Sequence, residues 1–121
     1  MKKRIIVVED FNTSRQIIKK ALELMGYLVD EAADGREALK YFDGSGIDLV
    51  ITDYNMPKMD GGSLVEYIRS KETYKYIPIL VLSTETNPEK QKRARDAKIT
   101  GWIRKPFNIS EFRIQVQRIL S

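Results

Sequence analysis

The chain holds no cysteine and no histidine in its 121 residues. Without cysteine there is no disulfide framework and no thiolate metal site, which fits a reducing, cytoplasmic setting. Without histidine, a Ser-His-Asp triad, a Cys-His pair and His-ligated zinc are excluded. Chemistry here must run on carboxylates, hydroxyls and lysines. No apolar run approaches the roughly 20 residues of a transmembrane helix. The opening MKKRIIVVED has the basic start of a secretory signal, but carboxylates end its short apolar run at once. Internal repeats, low-complexity tracts and linkers are also missing. The length is that of one domain, able to bury about two-thirds of the surface its unfolded chain would expose.

What is present is ordinary for a folded globular protein: 42% hydrophobic and 31% charged residues. The formal charge of +4 permits attraction to nucleic acid or acidic partners without selecting either.

Short apolar runs alternate with helical patterns along the whole chain. Arg4–Val8 is a strand followed by Glu9 and Asp10, and Asn12 or Thr13 is placed to cap the next helix. Ser14, Ile17, Ile18, Ala21, Leu22 and Met25 recur at helical spacing, and Gly26 ends that helix. Tyr27–Ala32 is a second strand whose Asp30 and Glu31 suit a sheet edge. Asp34 and Glu37 have capping-box spacing and open a short helix with Ala38, Leu39 and Phe42 inward. Ile47, Leu49, Val50 and Ile51 form a third, nearly unbroken apolar strand that stops at Asp53, after which a helix starts near Gly62 or Ser63. Ile77–Leu82 is the fourth strand, and Asn87-Pro88-Glu89 opens a helix whose only apolar residues are Ala94 and Ala97. That helix is expected to bury little and to be held weakly. Trp102–Arg104 is a fifth strand. A last helix, capped by Asn108 or Ser110, turns Phe112, Val116, Ile119 and Leu120 inward. Five β-α units with short connections predict an α/β domain, a parallel sheet sandwiched by helices.

In such a fold the carboxyl ends of all strands share one rim. Glu9, Asp10, Asp53, Ser83, Thr84 and Lys105 therefore meet in one crevice, the usual ligand position of open α/β sheets. Taken singly, each has an ordinary explanation. Asp53 reads as well as a turn cap, Ser83 as a turn residue, and Lys105 as a structural partner of Asp53. Taken together they match a task. Packed carboxylates repel, and a hard divalent cation such as magnesium removes that conflict. Lys105 and Ser83 offer a point charge and a hydroxyl to a phosphoryl group, and an aspartate among them can serve as nucleophile.

The stretches VVEDFNTSR, VITDYNMPKMDG, PILVLSTE and TGWIRKPF resemble the receiver domain of two-component response regulators, over essentially the whole chain and closest to the single-domain chemotaxis type. The resemblance implies a flavodoxin-like, doubly wound (βα)5 fold with strand order 2-1-3-4-5, which belongs to the family and is carried over with it. It implies that Asp53 accepts a phosphoryl group from a histidine kinase, and that Glu9, Asp10, Asp53 and the backbone carbonyl of Asn55 hold Mg2+. Ser83 would bind the phosphoryl oxygen and move with it, Lys105 would pair with the phosphate, the Lys105–Pro106 bond would be cis, and Trp102 would take the place of the family's switch aromatic. Departures are Glu9 where aspartate is commoner, Ser83 for threonine, Lys98 at a turn usually given to glycine, and Trp102 for tyrosine.

Residues 1–121 are thus expected to be a single cytoplasmic receiver domain with no output domain, acting as a monomer. Its expected partners are a histidine kinase, a phosphatase, and a protein target on the face of the fourth helix, fifth strand and fifth helix; neither nucleic acid nor a membrane is expected. The alternatives are a phosphorelay shuttle, the isolated receiver of a larger regulator, and an aspartyl-phosphate phosphatase or phosphotransferase. Against the last, Asn55 stands where such an enzyme carries its general acid–base.

Overall fold

The structure is a computed structural model that describes residues 2–121. The apolar runs become five strands: β1 (Arg4–Val8), β2 (Leu28–Ala32), β3 (Leu49–Thr52), β4 (Ile79–Ser83) and β5 (Gly101–Arg104). All pair in parallel, in the order β2-β1-β3-β4-β5. The helices are α1 (Asn12–Leu24), α2 (Gly35–Ala38, continued by a 3-10 turn over Leu39–Tyr41), α3 (Gly61–Ser70), α4 (Pro88–Asp96) and α5 (Ile109–Leu120). This is the flavodoxin-like arrangement that the resemblance implied. The winding reverses between β1 and β3, so the crevice opens where their carboxyl ends lie side by side.

Side-chain alternation splits the core into two layers. Ile6, Val8, Val50 and Ile79 face α2 and α3, where Ala38, Leu64, Val65 and Ile68 meet them. Ile5, Val7, Leu49, Ile51, Leu80 and Leu82 face α1 and α5, where Ile18, Leu22, Phe112 and Val116 meet them. The central strands β1, β3 and β4 are consequently buried on both faces, whereas β2 carries its acids at the sheet edge as expected.

Several local expectations hold. Asp34 accepts from the Glu37 N–H (2.7 Å), Asn87 from Glu89 and Lys90, and Asn108 from Ser110 and Glu111. Gly26 is left-handed at φ +94° and Lys98 takes the turn conformation that glycine usually fills, at φ +61°. Ile119 and Leu120 are half-buried against the α1/α5 layer.

Others are corrected. Neither Asn12 nor Thr13 caps α1: Phe11 occupies the cap with no side-chain bond, and the Asn12 side-chain oxygen instead accepts from Arg15 (2.8 Å). Ile17 is 56% exposed, because aiming Ile18 and Leu22 at the sheet rotates their neighbour away. The third helix begins earlier than read, at Gly61, because Asp60 accepts from the Ser63 N–H (2.7 Å).

Candidate functional site

Two ladder bonds carry the sheet's register into the crevice. The Glu9 N–H donates to the Ala32 carbonyl (3.0 Å) and the Asp53 N–H to the Val8 carbonyl (2.9 Å). The strand ends bearing the acids are therefore fixed side by side, and carboxylate oxygens of Glu9, Asp10 and Asp53 lie within 4.8 Å of one another. Lys105 enters from the loop after β5, its own N–H donating to the Ser83 carbonyl (3.0 Å). Its Nζ reaches Glu9 Oε1 at 2.5 Å and Asp53 Oδ2 at 3.0 Å. The Lys105–Pro106 peptide bond is cis. A Cβ on Gly61 would run into the Asp53 carbonyl oxygen, so only glycine lets the loop of residues 54–60 close back over the end of β3.

The charges are not balanced within the cluster. Three carboxylates face one ammonium group, and Glu9 is 2% exposed. Burial pushes the Glu9 carboxyl up to about 7; its bond to Lys105 opposes the rise and the neighbouring Asp53 adds to it. Burial pulls Lys105 down, but its two carboxylate partners outweigh this and leave it raised. Glu9 Oε2 is buried without a hydrogen-bond partner. An orphaned acidic oxygen beside two more carboxylates suits a hard divalent cation, which accepts oxygen ligands and restores neutrality.

The remaining site residues stand around this centre. Ser83 is fully buried at the end of β4, and its Oγ accepts from the Glu85 N–H (3.1 Å) rather than meeting the acids. Asn55 is exposed on the loop after β3. Trp102 on β5 is half-buried and packs against Tyr54, the residue after Asp53, with ring centroids 5.7 Å apart. Glu85, which the sequence places at the end of the fourth strand, drew no role from it. Its carboxyl is pulled down to about 2, first by the Asn87 N–H, then by Lys90, with the Asn55 side chain contributing. A glutamate two residues past a strand end carries no sequence signal of that kind.

The family model of the response regulator receiver domain matches residues 5–117. The chain belongs to the response regulator receiver family. Among similar proteins, chemotaxis protein CheY-3 of Vibrio cholerae is 36% identical over 117 residues, spanning 96% of this receiver and 90% of that protein. The solved structure of the chemotaxis response regulator CheY4 of Vibrio cholerae has a TM-score of 0.91 at 40% identity, covering 99% of this receiver and 100% of that chain. The receiver domain of a sensor histidine kinase from Pseudomonas aeruginosa, solved with a magnesium ion coordinated in its active-site cleft, has a TM-score of 0.88 at 27% identity, covering 99% and 98%. The receiver is accordingly a CheY-like module of two-component signalling and not a turnover enzyme. No helix among its described residues is long and apolar enough to cross a membrane.

Proposed function

We propose that this receiver takes a phosphoryl group from a histidine kinase on Asp53 and thereby changes its affinity for a protein target, in chemotaxis signalling. One observation carries the reading: Lys105 Nζ bridges Glu9 and Asp53, with Asp10 alongside, at the switch point of the sheet. A carboxylate oxygen of Asp53 attacks phosphorus as the P–N bond of the donor phosphohistidine breaks, which leaves an acyl phosphate on Asp53. Glu9, Asp10, Asp53 and the Asn55 carbonyl are the groups that would hold Mg2+, and the bound ion supplies charge neutralisation to the transferring phosphoryl oxygens. Lys105, released from part of its pairing with Asp53, turns its ammonium to the new phosphate. Ser83 offers its hydroxyl to a phosphoryl oxygen once it leaves the Glu85 N–H. The signal then passes to Trp102 and the face formed by α4, β5 and α5, where the target docks. The names of the chemotaxis relatives support the pathway.

The test is to incubate the protein with acetyl phosphate and Mg2+ and record its intact mass. A single phosphoryl adduct is expected, absent without the metal and absent in Asp53→Asn. Equal labelling of Asp53→Asn would remove Asp53 from its role.

A further inference from the structure

The loop between β1 and α1 carries two of the three acids, yet Asp10 is exposed and Phe11 caps α1 with no side-chain bond. A short solvent-facing loop of this kind has little apolar packing to hold it. Beyond the ladder bond of Glu9 to Ala32 and its pair with Lys105, the loop is tied by Arg15, in the first turn of α1. Its Nη1 donates to the Glu9 carbonyl (2.7 Å), and its backbone N–H donates to the Phe11 carbonyl (2.9 Å). The latter is the first bond of the helix itself, which any residue but proline would make; the former belongs to the arginine side chain. Its Nη2 donates to the Asn12 side chain (2.8 Å) and its Nε to Glu31 Oε1 on β2 (2.9 Å). The guanidinium is in turn held by Glu31, which also accepts from Gln16 (2.8 Å) and Lys19 (2.7 Å). The Arg15 side chain is only 13% exposed.

From these contacts we infer that Arg15 is a positioning residue for the divalent cation: its guanidinium ties the Glu9 carbonyl, next to Asp10, to Asn12 and Glu31, so that the carboxylates of Glu9 and Asp10 are aimed at the crevice before the metal arrives. The inference rests on the reading of Glu9, Asp10 and Asp53 as metal ligands. A preformed oxygen set binds more tightly than one that must be ordered on binding, and loss of a group that orients metal ligands typically costs about 10–100-fold in metal affinity. The guanidinium presents Nε, Nη1 and Nη2 in three fixed directions, whereas a lysine ammonium is a single point of charge that can reach only part of this set and so replaces it in part.

The experiment is titration of the metal-free protein with Mg2+ alone, followed by calorimetry and by the emission of the single tryptophan, Trp102. Arg15→Met keeps the aliphatic stem and is expected to weaken Mg2+ binding about tenfold, whereas Arg15→Lys gives a smaller loss. Lys19→Met removes a comparable partner of Glu31 without touching the Glu9 carbonyl, and is expected to bind Mg2+ within about twofold of the unsubstituted protein. Thermal melts of all three separate lost stability from lost affinity, and Arg15→Lys carries the test should Arg15→Met fail to fold. Unchanged affinity in the Arg15 variants, with binding abolished in Glu9→Gln, overturns the role of Arg15 alone. Equal weakening in Lys19→Met and Arg15→Met also overturns it, since general loosening then suffices. If the unsubstituted protein binds no Mg2+, the ligand reading itself fails and takes this inference with it.

Discussion

The acid-bearing centre and the α4–β5 flank sit in one sheet but are held by different forces. β1 and β3 are buried on both faces, and their carboxyl ends are joined by ladder bonds that run into the crevice. α4 turns only Ala94 fully inward, against Tyr54 and Val81. The expectation that it buries little is met, but two arginines supply what apolar packing does not. Arg93 forms a two-pronged pair with Glu66 on α3 (2.8 and 2.6 Å). Arg69 on α3 donates to the carbonyls of Ala97 (3.1 Å), Lys98 (3.0 Å) and Tyr74 (3.1 Å), pinning the end of α4 and the left-handed turn at Lys98. Burial strips water from the Arg69 guanidinium and lowers its pKa. Apolar packing is strong and short-ranged, and it keeps reacting groups in register. Ionic ties at a surface are weaker and reversible, so they hold a segment less firmly than a packed core does.

Four substitutions test that contrast. Ile6→Ala, at a fully buried position of β1, is expected to cost about 2–5 kcal/mol in urea unfolding. A cost of about 1 kcal/mol or less, as expected for the exposed Arg93 on α4, would erase the distinction. Arg69→Met leaves three carbonyls without their charged donor and should cost about 2 kcal/mol. Amide exchange should then quicken in Ala97 and Lys98 more than in β1; uniform quickening would mean that Arg69 is not a local pin.

The ties on the site side have a pH signature. The Glu31 carboxyl is held down to about 2 by Lys19 first and Arg15 next. Its folded value lies below its ordinary one of 4.5, so the stabilisation is complete above pH 4.5 and is lost as the pH falls toward 2. With the side chain 28% exposed, water screens the pair and about 1 kcal/mol is expected, read as a shallower fall in melting temperature with acid in Glu31→Gln. The smallest effect is that of Arg93→Ala. Both partners are well exposed, so it should cost about 1 kcal/mol or less, and concentrated salt should mimic it in the unsubstituted protein while leaving the cost of Ile6→Ala unchanged.

Much of the fold was legible because its signals are local. Four consecutive β-branched residues at Ile5–Val8, a capping asparagine before Pro88 and a glycine after Met25 each act within a few residues. The acids of the site were legible for a related reason: a carboxylate placed directly after a buried strand must lie on the rim. Ile17 was misread because helical spacing gives a stripe but not its centre, which packing against the sheet decides. Asn12 was misread because its side chain found Arg15 instead of the helix N-terminus.

By itself the sequence determined five strands, five helices and three acids at strand ends, since each follows from residues adjacent in the chain. Tertiary structure alone decided that Lys105 bridges Glu9, 96 positions away, as well as Asp53. It also decided that Glu9 keeps one oxygen without a partner, and that Arg15 gives one arm of its guanidinium, and Arg69 all three, to backbone carbonyls. Long flexible side chains choose among every acceptor within reach. Only the packed sheet and its helices determine which acceptors those are, because burial removes the water that would otherwise compete for them.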